Sequence, residues 1–146
     1  VPVWAKLSAN TDRVVEISTT VRDAGASAIT LINTMLGMQI STSSGRPSLG
    51  NGGGGLSGPA IRPIAIRAVH DVKAAMPDVD TIGVGGIASG NDAIEMMMAG
   101  ARAVQIGTAS FASPSAVWDI ALAASARMKE LGYASWDDVV GCVHRL

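Results

Sequence analysis

The chain has 146 residues, 48% of them apolar, which is ample for one packed domain and too apolar for a disordered segment. Eleven Lys and Arg stand against 12 Asp and Glu, a net charge of −1, so no bulk field recruits nucleic acid or an anionic membrane, and any phosphate needs a local site. The single cysteine, Cys142, excludes an internal disulfide or a cysteine-built cluster within the chain and fits a reducing compartment.

Residues 1–7 read as a short apolar strand, followed at residues 8–11 by a polar turn with helix-capping candidates. Across residues 12–24, Val14, Val15, Ile17, Val21 and Ala24 recur at three- and four-residue spacing, which predicts an amphipathic helix stopped by Gly25. Residues 27–32 are apolar enough for a strand buried on both faces. Glycines then interrupt any regular element across residues 33–62, and loops of that length inside a domain usually carry function. The alternation at Met38-Gln39-Ile40 and the turn signal at residues 43–46 predict a small hairpin there, and the glycine run at residues 52–55 predicts the hinge of a mobile flap.

Pro59 or Pro63 opens a helix that runs to Met76. Residues 81–84 form a third strand, 91–99 a helix closed by Gly100, 103–106 a fourth strand, and 113–131 a long helix ended by Gly132. Four strand–helix units imply parallel strands with right-handed crossovers, and four is half of the eight that close a TIM barrel. The expected fold is therefore α/β: the C-terminal half, about four βα units, of a TIM (β/α)8 barrel, occupying residues 1–146 as one partial domain. The chain opens directly on the strand-like VPVWAKLS, so the upstream half is expected to be absent. No apolar run approaches the roughly 20 residues of a bilayer span, and no signal peptide is evident. No membrane association and a cytoplasmic location are expected.

Each predicted strand ends on a residue pair suited to a ligand: Lys6, Asn33-Thr34, Gly85-Gly86 and Gly107-Thr108. Strand ends of a parallel sheet gather on one rim. Glycine allows close backbone approach, and a following helix aims free N–H groups and its dipole at an anion, so the last two pairs predict a phosphate site. The bland alternatives are a solvent-reaching Lys6 and an Asn33-Thr34 pair that merely caps a turn. Residues 96–98, three methionines, read as core filling, His70 as a surface residue, and Trp4, Trp118 and Trp136 as packing residues with no stacking array for nucleic acid. Cys142 and His144 are close in sequence but lack further ligands for a metal site.

The stretches KLSANTDRVVEIS, ITLINTMLGMQI, NGGGGLSGPAIRPIAIRAV, IGVGGIASGNDAIEMMMAGA and AVQIGTASF together resemble the C-terminal half of dihydroorotate dehydrogenase, closest to the class I soluble subgroup. The resemblance covers about residues 3–111. It implies a TIM barrel with FMN at its C-terminal rim, oxidation of dihydroorotate to orotate in pyrimidine synthesis, and a flavin (FAD) and iron–sulfur electron-transfer subunit within a homo- or hetero-oligomer.

Position by position, the resemblance implies that Lys6 approaches the flavin ring edge, Ile32 touches the flavin, and Ser57-Gly58 lets backbone approach it. It implies that Gly85, Gly86, Gly107 and Thr108 bind the phosphate and that Asn33 and Thr34 hold the pyrimidine. The family's catalytic base, a cysteine or serine on a mobile loop, is expected upstream of Val1, so the chain alone is expected to be inactive. A branched side chain at Gly86 is expected to expel flavin before the fold fails. The alternatives are a dihydropyrimidine dehydrogenase-type flavin oxidoreductase and an inactive phosphate-binding half-barrel.

Overall fold

In the computed structural model, which describes residues 1–145, the first elements are β1 (Trp4–Leu7), α1 (Val14–Asp23), β2 (Ala28–Leu31), β3 (Met35–Met38) and β4 (Gly53–Leu56). After a 3-10 turn at Pro59–Ile61 come α2 (Arg62–Ala75), β5 (Asp80–Val84), α3 (Gly90–Met98) and β6 (Ala101–Gln105). Three helices close the order: α4 (Ala109–Ala112), α5 (Ala116–Glu130) and α6 (Trp136–Val139).

Apolar strands separated by helices pair in parallel, in the order β1-β2-β5-β6. The order follows the chain without reversal, so the connections wind in one direction across the sheet. Register aligns Leu7, Leu31, Gly83 and Val104 in one row. A Cβ on Gly83 would lie 2.2 Å from Met96 Cγ on α3, so this row faces the helices; Leu31 and Met96 are in the core, and the partly buried Leu7 and Val104 pack against it. The neighbouring row, Lys6, Thr30, Ile82 and Ala103, takes the opposite face by strand alternation. Its middle pair is buried and its outer pair exposed.

The strand-and-helix order matches expectation, and several details differ. β6 starts at Ala101 rather than at residue 103, because Arg102, which breaks the apolar run, is absorbed where the register slips against Thr81 and Ile82. The last long helix begins at Ala116 rather than at residue 113, since proline disfavours helical conformation in the residue before it and Ser113 is extended, and the short helices α4 and α6 were not expected.

The glycine run is a strand and not a flap hinge: Gly53–Leu56 pairs antiparallel with Met35–Met38. The bare backbone admits side chains laid flat upon it, for a Cβ on Gly54 would lie 2.5 Å from Leu49 Cδ1 and one on Gly55 2.2 Å from Thr34 Oγ1. The hairpin turn falls near its predicted place, with Gly45 N–H donating to Ser41 O (2.8 Å) and Ile40 bridging Pro47.

Trp136 is partly buried against the core, but the packing role expected of Trp4 and Trp118 does not hold, since they are 56% and 68% exposed. Trp4 stands on the edge strand β1, on the same sheet face as the exposed Lys6. Trp118 lies opposite the buried stripe of α5, Ala116, Ile120, Ala124 and Met128. His70 is only half exposed: its ring stacks on His144 at 4.5 Å, which ties the C-terminal turn Cys142–Arg145 to α2. No helix among the described residues is long and apolar enough to cross a membrane.

Candidate functional site

The C-terminal ends of the four parallel strands open on one cavity of about 600 Å³, within the usual range for a small-molecule or cofactor site. Backbone hydrogen bonds draw the strand ends together: Asn33 N–H donates to Leu7 O (2.9 Å) and Ile32 N–H to Val84 O (2.8 Å). All ten residues singled out from the sequence line this cavity: Lys6, Ile32, Asn33, Thr34, Ser57, Gly58, Gly85, Gly86, Gly107 and Thr108. Lys6 reaches it from the sheet face opposite the helices. Ser57 and Gly58 arrive from the end of β4 and are joined to the last loop by Thr108 Oγ1 donating to Ser57 Oγ (2.8 Å).

The loop after β5 is fixed from behind. Gly85 and Gly86 hold φ of 133° and 74°, conformations that L side chains rarely adopt. A Cβ on Gly85 would lie 3.0 Å from Ala65 Cβ, and one on Gly86 2.8 Å from the backbone nitrogen of Arg62, so α2 packs hard against this loop. The Arg62 guanidinium forms an ion pair with Asp92, which is 8% exposed, and reaches Glu95 at 3.3 Å. The other Asp92 oxygen accepts Ala88 N–H at 3.0 Å, and Ser89 Oγ caps α3 by accepting Asp92 N–H at 3.2 Å. A buried carboxylate thus links α2, α3 and the loop.

The loop after β6 is open by contrast. A Cβ on Gly107 would meet nothing within 4 Å. Among the described residues none accepts a hydrogen bond from the backbone N–H of Gly86, Ile87, Gly107 or Thr108, and all four residues line the cavity. These four amides from two loops are donors available to an anion in the cavity. The expected contribution of helix dipoles is smaller than the sequence suggested: Ser89 and Asp92 already serve the first turn of α3, and α4 has only four residues.

Sequence reasoning overlooked Arg62 and Asp92. The spacing Ser89-x-x-Asp92 is a capping pattern that could have flagged the carboxylate, but nothing local signals a partner 30 residues away. It also passed over Gln105, the last residue of β6, and Asp119 on α5, both of which line the cavity. Cys142 lies away from the site, with its thiol 3.7 Å from the Tyr133 hydroxyl.

The sequence model of the family described as dihydroorotate dehydrogenase matches residues 1–128. The chain is 49% identical over 142 residues to the dihydroorotate dehydrogenase B (NAD(+)) catalytic subunit of Pelobacter propionicus, an alignment covering 97% of this chain and 46% of that protein. Proteins of the same name from Geotalea uraniireducens and Bacillus pumilus are 47% and 42% identical, again over 97% of this chain and over 46% and 45% of theirs. The chain spans about half the length of the curated relatives it matches.

Proposed function

The chain belongs to the dihydroorotate dehydrogenase family, and from that premise we propose that it is the FMN-binding C-terminal half of a (β/α)8 barrel that oxidises dihydroorotate to orotate in de novo pyrimidine synthesis. The observation that carries this reading is the convergence of all ten family-matched positions on one cavity. The one-directional sheet with open edges at β1 and β6 supports the half-barrel.

The residues present fit FMN. Its phosphate suits the four unpaired amides at Gly86, Ile87, Gly107 and Thr108, and the missing side chain at Gly107 leaves room for it to approach. Lys6 stands on the far side of the same cavity, where an ammonium favours negative charge on a ring edge. Asn33 and Thr34 offer the mixed donors and acceptors that a polar, planar pyrimidine requires. When bound, FMN supplies a hydride acceptor. What this half contributes is binding and orientation, and the base that removes the substrate proton is proposed to lie in the preceding half.

The relatives are named catalytic subunits, which supports a partner subunit, and we propose from the family resemblance that this partner transfers electrons through FAD and an iron–sulfur cluster. A cytoplasmic location accords with that assembly. The test is turnover by the full-length protein with its flavin: dihydroorotate is expected to be oxidised at least tenfold faster than dihydrouracil, a discrimination of about 1.4 kcal/mol. Equal or greater activity on dihydrouracil would overturn the substrate assignment.

A further inference from the structure

Asn10 lies in the turn between β1 and α1, among none of the residues assigned so far. Its Nδ2 donates to the Thr34 carbonyl at 3.0 Å, and its Oδ1 accepts Leu36 N–H at 2.8 Å. The same Nδ2 donates to Ser8 Oγ at 2.7 Å, which steadies the amide from its own loop. One side chain therefore brackets Met35 and pins the backbone immediately after Asn33-Thr34, while Asn33 N–H, bound to Leu7 O at 2.9 Å, pins it before. Among the described residues no other side-chain hydrogen bond joins these two turns.

Bridging a carbonyl and an N–H simultaneously requires a donor and an acceptor on one short side chain, which an amide supplies and a carboxylate does not. Helix capping does not account for Asn10, because α1 begins beyond it, with Arg13 at the N-cap. Stability is a weak reason as well, since Asn10 is exposed and its hydrogen bonds compete with water. What the bridge does fix is the path of Asn33-Thr34 and, through Leu36, the root of the β3–β4 hairpin beside the cavity.

The geometry points to Asn10 as a positioning residue for the pyrimidine: it is outside the cavity lining but sets the orientation of Asn33 and Thr34, which are in it. This rests on the reading of Asn33 and Thr34 as substrate-holding. Misplacing binding groups by a fraction of an ångström weakens a rigid, polar ligand without disturbing a distant phosphate.

The experiment uses the full-length, flavin-loaded enzyme and measures KM for dihydroorotate, kcat, FMN content, and orotate affinity from the flavin absorbance shift. Asn10→Ala is expected to raise both KM and the orotate Kd about tenfold, with FMN content unchanged and kcat within about twofold. Asn10→Gln, which keeps the amide, is expected to be less impaired, and it carries the test if the alanine variant does not fold. An unchanged KM, flavin lost in step with substrate affinity, or a glutamine variant as weak as the alanine would overturn the inference. If the unaltered enzyme neither binds orotate nor oxidises dihydroorotate, the underlying reading of the site fails as well, an outcome distinct from the others.

Discussion

The two glycine loops that face the cavity look alike in sequence and differ in what their glycines are for. After β5, Gly85 and Gly86 adopt positive φ and stand in contact with Ala65 and the Arg62 backbone, so a side chain there collides with the protein. After β6, Gly107 has ordinary φ and open space before it, so a side chain there collides only with whatever occupies the cavity. The first loop is part of the core and is shaped before any ligand arrives. The second borders the open cavity. Both loops line the cavity, so they share a proposed ligand but not a reason for being glycine.

The largest effect is expected at Gly86. Replacing it with Ala should cost about 3 kcal/mol, the sum of an unfavourable positive φ and overpacking against α2. This departs from the expectation that flavin would leave first: stability and flavin content should fall together. Chemical denaturation of the flavin-free full-length protein is the check, and a midpoint equal to that of the unaltered chain would show that α2 yields to the added methyl.

The next effect belongs to the carboxylate behind the same loop. Asp92→Ala removes the partner of Arg62 and the acceptor of Ala88 N–H, at a cost of about 2 kcal/mol, softened because Arg62 is partly solvated and keeps Glu95. Asp92→Asn keeps one acceptor and should lose less. Equal losses in the two variants would show that charge, not the bond to the loop, matters.

Gly107→Val should change the stability of the flavin-free protein by no more than about 0.5 kcal/mol, while FMN affinity falls at least about tenfold, as expected when charge-assisted hydrogen bonds are strained. Flavin content after dialysis, measured beside the melting curve, separates the two quantities. Full retention of FMN would detach Gly107 from the phosphate site.

Much of this fold is legible without coordinates. The three- and four-residue periodicity in α1, α2 and α5 and the apolar runs at β2 and β5 announce themselves because their cause is local. So do the strand-end pairs, since a parallel sheet brings its C-terminal ends to one rim whatever its side chains are. Less legible were the elements whose cause lies in a neighbour. The glycine run became β4 because Leu49 and Thr34 lie against it. Trp4 and Trp118, apolar enough to be read as core, lie on faces that nothing among the described residues covers.

The order of the four parallel strands and of the helices between them, the residues at the four strand ends, and the family to which they belong follow from the sequence, because each is a property of short segments. The tertiary structure alone sets which glycine packs against α2 and which faces open space, that Arg62 and Asp92 buttress a loop from 30 residues apart, and that Asn10 reaches Thr34 and Leu36. Those outcomes depend on distances across the fold, which no local pattern of residues encodes.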